Sequence, residues 1–393
     1  MLAAYTGTYQ SISPMPSPML GPSMYSGGGA PSDFSLDSGA DDSYHTHSHS
    51  YSISSSFTPP IPSIGSFNMS GGIQISASLP PYDPSKDAKK LLNALTAARP
   101  DLEALIDVLP RLSGDEVLAL RQEYKRIYKN VNIVKHIKKL IPGAVGKVMW
   151  VTALGPYESE GWWANTWYQK SITKDDILIE ALMGKTLAEI REIKRGFRDA
   201  KYNHDLVVAL EAELPADKFR YAILLSLDED ARMPDDQRVD MGAVERDVRR
   251  LYQVLEEGAP GKMETKIIDV VVKANADHLR EVIRWYKHQH GKDVSKLVIR
   301  HSKNLVGESL LHVLAGIIDK ALRDAKLIQN ALESFVAKED LLISRLVRVH
   351  WDREHMVQVR EAYKRKYRKE LRDVLMGALS GGLGEFVGEM YRV

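Results

Sequence analysis

The chain has 393 residues, with 53 Lys and Arg against 52 Asp and Glu, and it contains no cysteine. This near-zero net charge argues against a dedicated nucleic-acid-binding protein, whose binding domain is strongly basic. The lack of cysteine excludes disulfide frameworks, cysteine-ligated zinc sites and thiol nucleophiles.

The net charge is the sum of two unlike segments. Residues 1–83 contain no Lys, Arg or Glu and carry five Asp, so the +1 of the whole chain leaves +6 for residues 84–393. The first segment also holds 20 Ser, 10 of the 18 Pro and 9 of the 27 Gly. Such a composition buries too little apolar surface to offset the entropy of ordering. We therefore predict that residues 1–83 form a disordered tail, which could dock on a protein partner.

From residue 84 onward the pattern is helical and repeats four times. An apolar anchor is followed by two aliphatic residues and one aromatic residue at matching spacings. The four sets are Leu105, Val117, Leu120 and Tyr124; Leu178, Ile190, Ile193 and Phe197; Ile267, Leu279, Val282 and Tyr286; and Leu342, Met356, Val359 and Tyr363. The aromatic residues lie 73, 89 and 77 residues apart, and the longest gap contains the polar stretch 228–240. We predict units at 84–156, 157–232, 233–321 and 322–393.

The second unit indicates five helices, four long and one short. Thr173 and Asp176 form a predicted capping box ahead of a helix over 175–183. Further helices are expected over 187–199, 204–212 and 218–227, and a short one precedes them near 163–170. Trp162, Trp163 and Trp167 lie at its start. Tryptophan is common at membrane interfaces, but the spacing of these residues favours packing in a core.

Three segments of the second unit resemble an annexin repeat: 175–197, 202–214 and 219–227. Residues 339–383 resemble another, including Ser380-Gly381 before the last helix. The resemblance covers 84–393 and implies an all-α fold in which four annexin-type repeats of about five helices form a curved disc. It also implies binding to anionic phospholipid through calcium ions, held by a K-G-x-G-T loop and an acidic residue about 39 positions downstream. A different helical repeat array is the alternative.

The sequence departs from that calcium pattern in every unit. The loops read 97-AARP-100, 170-KSIT-173, 259-APGK-262 and 334-SFVA-337, and the acidic position holds Leu140, Glu213, His301 and Ala378 respectively. Only the second unit keeps a carboxylate. Its candidate residual calcium site comprises Lys170, Ser171, Thr173 and Glu213, although Glu213 can equally be a solvated surface acid. The resemblance names calcium as the cofactor, and the missing glycines and acids put it in doubt.

Exposed basic residues offer a second route to an anionic membrane, since each contributes about 1 kcal/mol near such a surface. The lipid-facing candidates in the fourth unit are Lys364, Arg365, Lys366, Arg368 and Lys369. A solvated helix face is the alternative reading of this run. We find no catalytic motif and predict a non-enzymatic, cytoplasmic protein that associates peripherally with anionic phospholipid membranes, with calcium dependence weakened or lost. A helical scaffold that binds proteins and no longer binds lipid is the rival prediction, and nucleic acid is an unlikely partner.

Overall fold

The sixteen residues of the repeating pattern all lie in the hydrophobic core, and none is more than 1% exposed. The computed structural model describes residues 82–169, 175–256, 263–333 and 335–392, with no account of the side chains of 335–338. The predicted tail lies outside the described residues except for Tyr82 and Asp83. Within the described ranges every regular element is a helix. The all-α prediction is therefore confirmed.

Ten α-helices form the first half of the described chain. In the first unit they are α1 (Pro84–Thr96), α2 (Leu102–Val108), α3 (Gly114–Ile127), α4 (Ile133–Leu140) and α5 (Gly143–Leu154). In the second unit they are α6 (Glu158–Gln169), α7 (Asp175–Leu182), α8 (Leu187–Gly196), α9 (Leu206–Glu213) and α10 (Lys218–Leu227). Two capping boxes begin helices, at Ser113 with Glu116 and at Thr186 with Glu189. The box predicted at Thr173 lies outside the described residues.

The second half continues the same plan. Its helices are α11 (Met241–Leu255), α12 (Met263–Lys273), α13 (Ala276–His290), α14 (Val294–His301), α15 (Leu305–Leu332), α16 (Phe335–His350), α17 (Arg353–Tyr367), α18 (Leu371–Ala378) and α19 (Gly381–Met390). Helix α15 is kinked at Asp319, whose φ of −159° and ψ of 89° are not helical. The Asp319 carboxylate accepts a hydrogen bond from the Leu322 amide, so it caps the second part of α15. Counting the two parts of α15 separately, the described residues contain four sets of five helices.

Two details of the second unit differ from the sequence prediction. Helix α8 ends at Gly196 rather than at 199, because Phe197 has an extended backbone with φ −66° and ψ 134°. The first helix is not short: α6 runs from Glu158 to Gln169 and buries Trp163 and Trp167. The core reading of these two tryptophans is confirmed. The ring of Trp162, partly buried, meets that of Trp150 of α5 edge-on at 4.5 Å.

The polar stretch between the second and third units is hydrogen-bonded to both. Asp235 accepts from the Leu187 and Ala188 amides at the start of α8, at 3.1 and 3.3 Å. On the other side, the Asn275 side chain donates to the carbonyls of Pro234 and Gln237, at 2.9 and 3.0 Å. Residues 228–240 therefore fasten the second unit to the third.

A buried ion-pair network joins the second unit to the fourth. The Arg345 guanidinium donates to both oxygens of Glu180, and both side chains are at most 2% exposed. Next to them, Arg348 forms a two-pronged contact with Glu160 at 2.5 and 2.8 Å and also reaches Glu180 at 3.1 Å. Lys185 completes the network by donating to Glu160 at 3.2 Å. Although burial opposes ionisation, Arg348 and Lys185 hold the pKa of Glu160 below its usual range.

No helix among the described residues is long and apolar enough to cross a membrane.

Candidate functional site

The candidate calcium site of the second unit is described only at its acidic residue. Lys170, Ser171 and Thr173 lie outside the described residues, whereas Glu213 is the last residue of α9. Its Oε1 atom accepts a hydrogen bond from the Lys201 ammonium at 2.7 Å and another from the Tyr202 hydroxyl. The Lys201 ammonium also lies 4.7 Å from the centre of the Tyr202 ring. The Glu213 carboxylate therefore already has a positive charge in contact with it, the Lys201 ammonium.

The electrostatics of Glu213 follow from that contact. Hydrogen bonds from Lys201 and Tyr202 lower the pKa of Glu213, because they stabilise its ionised form, and burial opposes the shift. The contacts of Lys201 with Glu213 and with Tyr202 raise the pKa of Lys201. A calcium ion binding to this carboxylate would have to displace or tolerate a neighbouring ammonium group.

A second acid of the same region escaped the sequence analysis. Asp199 follows α8, and its Oδ2 accepts from the Tyr168 hydroxyl at 2.5 Å, Asn165 at 3.1 Å and Gln169 at 3.4 Å. Gln169 is the residue immediately before the undescribed segment 170–174. The Asp199 carboxylate therefore contacts the last described residue before that segment, and its Oδ2 is already engaged by three donors from α6. The family pattern assigns the acid about 39 positions downstream of the loop, so it did not point to Asp199.

The third unit contains another carboxylate that the sequence pattern did not indicate. Glu264 lies in the first turn of α12, directly after the undescribed segment 257–262. It accepts from Lys218 at 2.8 Å, from Ser302 at 2.7 Å and from Asn304 at 2.9 Å. Burial works against ionisation here, yet these three donors hold the pKa of Glu264 below its usual range. Lys218 belongs to the second unit, so this contact also links two units.

The first and fourth units offer no carboxylate at the acidic position. Leu140 ends α4 and is partly buried, and Ala378 ends α18 and is exposed. The loop of the first unit leads into Asp101, whose carboxylate is used to cap α2 through the Glu103 and Ala104 amides. His301 of the third unit is exposed at the end of α14.

A calcium ion requires six to eight oxygen ligands, and the structure describes one of the candidate residues that could supply them, the Glu213 carboxylate. No group of three or more His, Asp or Glu side chains that could hold a metal occurs among the described residues. Glu213 and Glu264 each contact a lysine ammonium.

The basic candidates of the fourth unit are all exposed, as a membrane-binding role requires. Lys364, Arg365 and Arg368 line an open surface groove of about 370 Å³ together with Glu361. Two of them also have acidic neighbours: Lys364 lies 2.5 Å from Glu370, and Arg365 lies 3.8 Å from Asp319. Lys366 and Lys369 are exposed but do not line this groove.

Comparisons with known proteins place the chain among similar sequences and folds. A sequence model described as Annexin matches residues 323–387. Annexin C1 of Cryptococcus neoformans var. grubii is 23% identical over 74% of this chain and 62% of its own length. Mouse annexin A11 is 25% identical over 81% of this chain and 61% of its own length. The chain thus spans about three fifths of the length of these curated relatives.

Solved structures agree with this likeness. A structure titled annexin III matches with a TM-score of 0.71 at 20% identity, covering 80% of this chain and 95% of that one. A structure titled calcium-bound annexin (Sm)1 matches with a TM-score of 0.67 at 19% identity, covering 79% of this chain and 90% of that one. The matching sequence model and the curated relatives make the chain similar to annexins in sequence, and the solved structures show that it has the annexin fold.

Proposed function

We propose that this protein binds anionic phospholipid membranes peripherally, by charge, and with little or no dependence on calcium. The family resemblance supplies the general activity, calcium-dependent phospholipid binding. The observation that carries the departure from it is the contact between Glu213 and Lys201, in which an ammonium group lies 2.7 Å from the carboxylate that would ligate calcium. Lys170, Ser171 and Thr173 lie outside the described residues, so their part in the candidate calcium site stays a prediction.

The charge route depends on the exposed basic residues of α17 and its C-terminal end. Three of them share one groove, so a lipid phosphate placed there would meet several positive charges at once. Their acidic neighbours, Glu361, Glu370 and Asp319, reduce the local potential. The attraction is screened within about 8 Å at physiological salt, so binding by this route should weaken as salt is added.

Co-sedimentation with phosphatidylserine vesicles tests the proposal. We expect binding that is unchanged by a calcium chelator and reduced by high salt. The variant carrying Lys364→Gln, Arg365→Gln and Arg368→Gln, the three basic residues of the groove, should bind markedly less. A matched control replaces three exposed arginines of α11, namely Arg246, Arg249 and Arg250, by Gln and should bind as the wild type does.

The rival function is a helical protein-binding scaffold that no longer binds lipid. The engaged carboxylates Glu213 and Glu264 favour it as well, because they remove calcium bridging without requiring another lipid contact. Vesicles of phosphatidylserine, phosphatidic acid or phosphoinositide that fail to sediment the protein with or without calcium would establish the scaffold and rule out the charge route. Loss of sedimentation when a chelator is added would instead show that lipid binding depends on calcium.

A further inference from the structure

A short motif occurs twice in the chain, at the C-terminal ends of α3 and α17. It reads Tyr-Lys-Arg-x-Tyr followed by Lys or Arg, and it covers residues 124–129 in the first unit and 363–368 in the fourth. The equivalent segments of the other two units read 197-FRDAKY-202 and 286-YKHQHG-291, so neither contains it. Each motif supplies three basic residues, here called a basic triad: Lys125, Arg126 and Lys129 in the first unit, and Lys364, Arg365 and Arg368 in the fourth.

The tyrosines of each motif hold the end of the helix against the rest of the unit. Tyr124 and Tyr363 are at most 1% exposed. Each ring packs against that of the tyrosine one turn later, with ring centres 6.1 Å apart for Tyr128 and 4.7 Å apart for Tyr367. Residues one or two places after a buried position lie on other faces of a helix. All six residues of the two triads are accordingly exposed.

The last residue of each triad has an unusual backbone conformation. Lys129 and Arg368 have φ values of 43° and 60°, in the left-handed region that side chains of this kind rarely adopt. The third unit has a glycine at the equivalent place, Gly291, with φ 65°. A basic residue there costs conformational energy that glycine would avoid, and such strain is common at binding sites. The two strained positions therefore indicate a function for the basic side chains placed there.

In the first unit the triad has a single acidic neighbour in its own segment. Glu123 accepts hydrogen bonds from Arg126 at 2.6 and 2.7 Å. No other ion pair of this triad occurs among the described residues. Three basic residues and one acid leave a net charge of +2 on residues 123–130.

The fourth unit reaches the same net charge with more groups. Residues 362–369 contain five basic residues and no acid. Three acids line the groove or contact the triad, and they are Glu361, Glu370 and Asp319. The balance is again +2. Arg368 lines the open groove and has no ion pair within the described ranges, so its guanidinium group is available to a ligand.

We propose that each basic triad binds one phosphate monoester group, such as the terminal phosphate of a phosphoinositide headgroup. A phosphate monoester carries about 1.5 to 2 negative charges at pH 7, which matches each site, whereas the phosphatidylserine headgroup carries a single net negative charge. Arginine donates parallel hydrogen bonds to a phosphate, and lysine adds a compact charge. This inference rests on the charge route proposed above, and it names the headgroup and adds a second site on the first unit.

Vesicles of two compositions test the proposal. Phosphatidylcholine vesicles carry either phosphatidylinositol monophosphate or phosphatidylserine, at the same total negative charge. We expect the full chain to bind the phosphorylated lipid at least about tenfold more tightly, roughly the contribution of one charge-assisted hydrogen bond. Replacing all three residues of either triad by Gln should weaken this binding about tenfold. The variant of α11 with Arg246, Arg249 and Arg250 replaced by Gln is the matched control and should bind as the wild type does.

A glycine variant separates ligand binding from a structural role of the same residue. Basic residues near a helix C-terminus also stabilise the helix through its dipole. Arg368→Gly removes the charge and relieves the backbone strain, so the unfolding midpoint should stay at or above that of the wild type. Binding to the phosphorylated vesicles should still weaken about fivefold. A lower midpoint with unchanged binding would assign Arg368 a structural role and overturn the proposal.

Soluble inositol bisphosphate identifies the source of the phosphate group. It carries the phosphate monoester of the lipid headgroup, so it should release the protein from the phosphorylated vesicles. Much tighter binding to the vesicles than to the soluble compound assigns the ligand to a membrane, and equal affinities assign it to a free phosphate compound. Equal binding of the two lipids, or triad variants that bind as the wild type does, would overturn the inference and leave peripheral binding by charge intact. Failure to bind either lipid would overturn both.

Discussion

Acidic side chains meet basic ones in two contrasting regions of this chain. Between the second and fourth units, Glu180 and Glu160 face Arg345 and Arg348; the side chains of Glu180, Glu160 and Arg345 are at most 5% exposed and that of Arg348 is 17% exposed. Nearer the surface, Glu213 and Glu264 face Lys201 and Lys218, whose side chains are 67% and 46% exposed. Both regions pair a carboxylate with a basic side chain. In the buried region, removing one partner leaves the other charge buried and unpaired. At the surface, water or another cation can take the place of the missing partner.

Among the variants that test this contrast, the largest loss of stability is expected when Arg345 is replaced. We expect Arg345→Met to lower the free energy of unfolding by about 3–5 kcal/mol, because Glu180 would lose three of its hydrogen bonds while staying buried. Chemical denaturation measures the change, and Arg249→Met on the exposed face of α11 is the matched control. A loss below about 1 kcal/mol would mean that Arg348 alone satisfies Glu180.

Measuring the free energy of unfolding as a function of pH tests a buried group of another kind, the His350 imidazole. His350 is 2% exposed between the fourth unit, Leu112 of the first unit and Met390 of α19. Burial lowers its pKa to about 4, with Arg353 acting in the same direction and backbone acceptors at Leu112 and Met390 opposing. Its unfolded pKa is near 6.5, so the unfolded chain binds more protons between these values. Stability should be complete above pH 6.5 and fall by about 3 kcal/mol as the pH drops to 4.

The contribution of His350 can be separated from that of other groups. His312 is also buried with a pKa well below its usual range, so it destabilises the fold on acidification in the same sense. We expect His350→Gln to reduce the slope of the stability profile between pH 6.5 and 4, with the contribution of His312 remaining, while His288→Gln at an exposed position of α13 leaves the profile unchanged. Parallel profiles for His350→Gln and wild type would show that His350 does not sense the pH.

Glu264 should give an intermediate effect, since it is less exposed than its lysine partner. Glu264→Gln removes the charge that three donors share, and we expect a loss of about 1–2 kcal/mol in the free energy of unfolding. Thermal and denaturant unfolding measure it, with Glu385→Gln on the exposed face of α19 as the control. If Glu264→Gln lowered the free energy of unfolding as much as Arg345→Met does, the buried and the more exposed ion pairs would contribute equally to stability.

The fold could be predicted from sequence because burial imposes a period on the chain. Each unit repeats an aliphatic and aromatic pattern, as with Leu105 and Tyr124, and those side chains are all inside. Helix ends were less predictable. Gly196 ends α8 where its helical pattern continues, since tertiary packing brings the Glu158 backbone against it: a Cβ on Gly196 would lie 2.9 Å from the Glu158 Cα.

The environment of the candidate site could not be predicted in the same way. The sequence showed that Glu213 is the one retained acid, but its partner Lys201 lies twelve residues earlier in a short turn after α8. The Glu264 site depends on Lys218, Ser302 and Asn304, which come from two units. Such contacts depend on how the helices pack, and a spacing rule taken from a calcium loop does not encode them.

The smallest effect on stability is expected at Lys201, and this variant separates stability from ligand binding. Lys201 is largely exposed, so Lys201→Gln should leave the unfolding midpoint unchanged, as should Lys90→Gln, which removes a comparable exposed pair with Asp107. The two variants should differ in calcium titrations. Without Lys201, the Glu213 carboxylate keeps Tyr202 as its one donor among the described residues and can accept a cation from solution, so calcium should bind more tightly than to wild type or Lys90→Gln. Equal calcium affinities in all three proteins would show that the loop residues, and not the lysine, prevent calcium binding at this site.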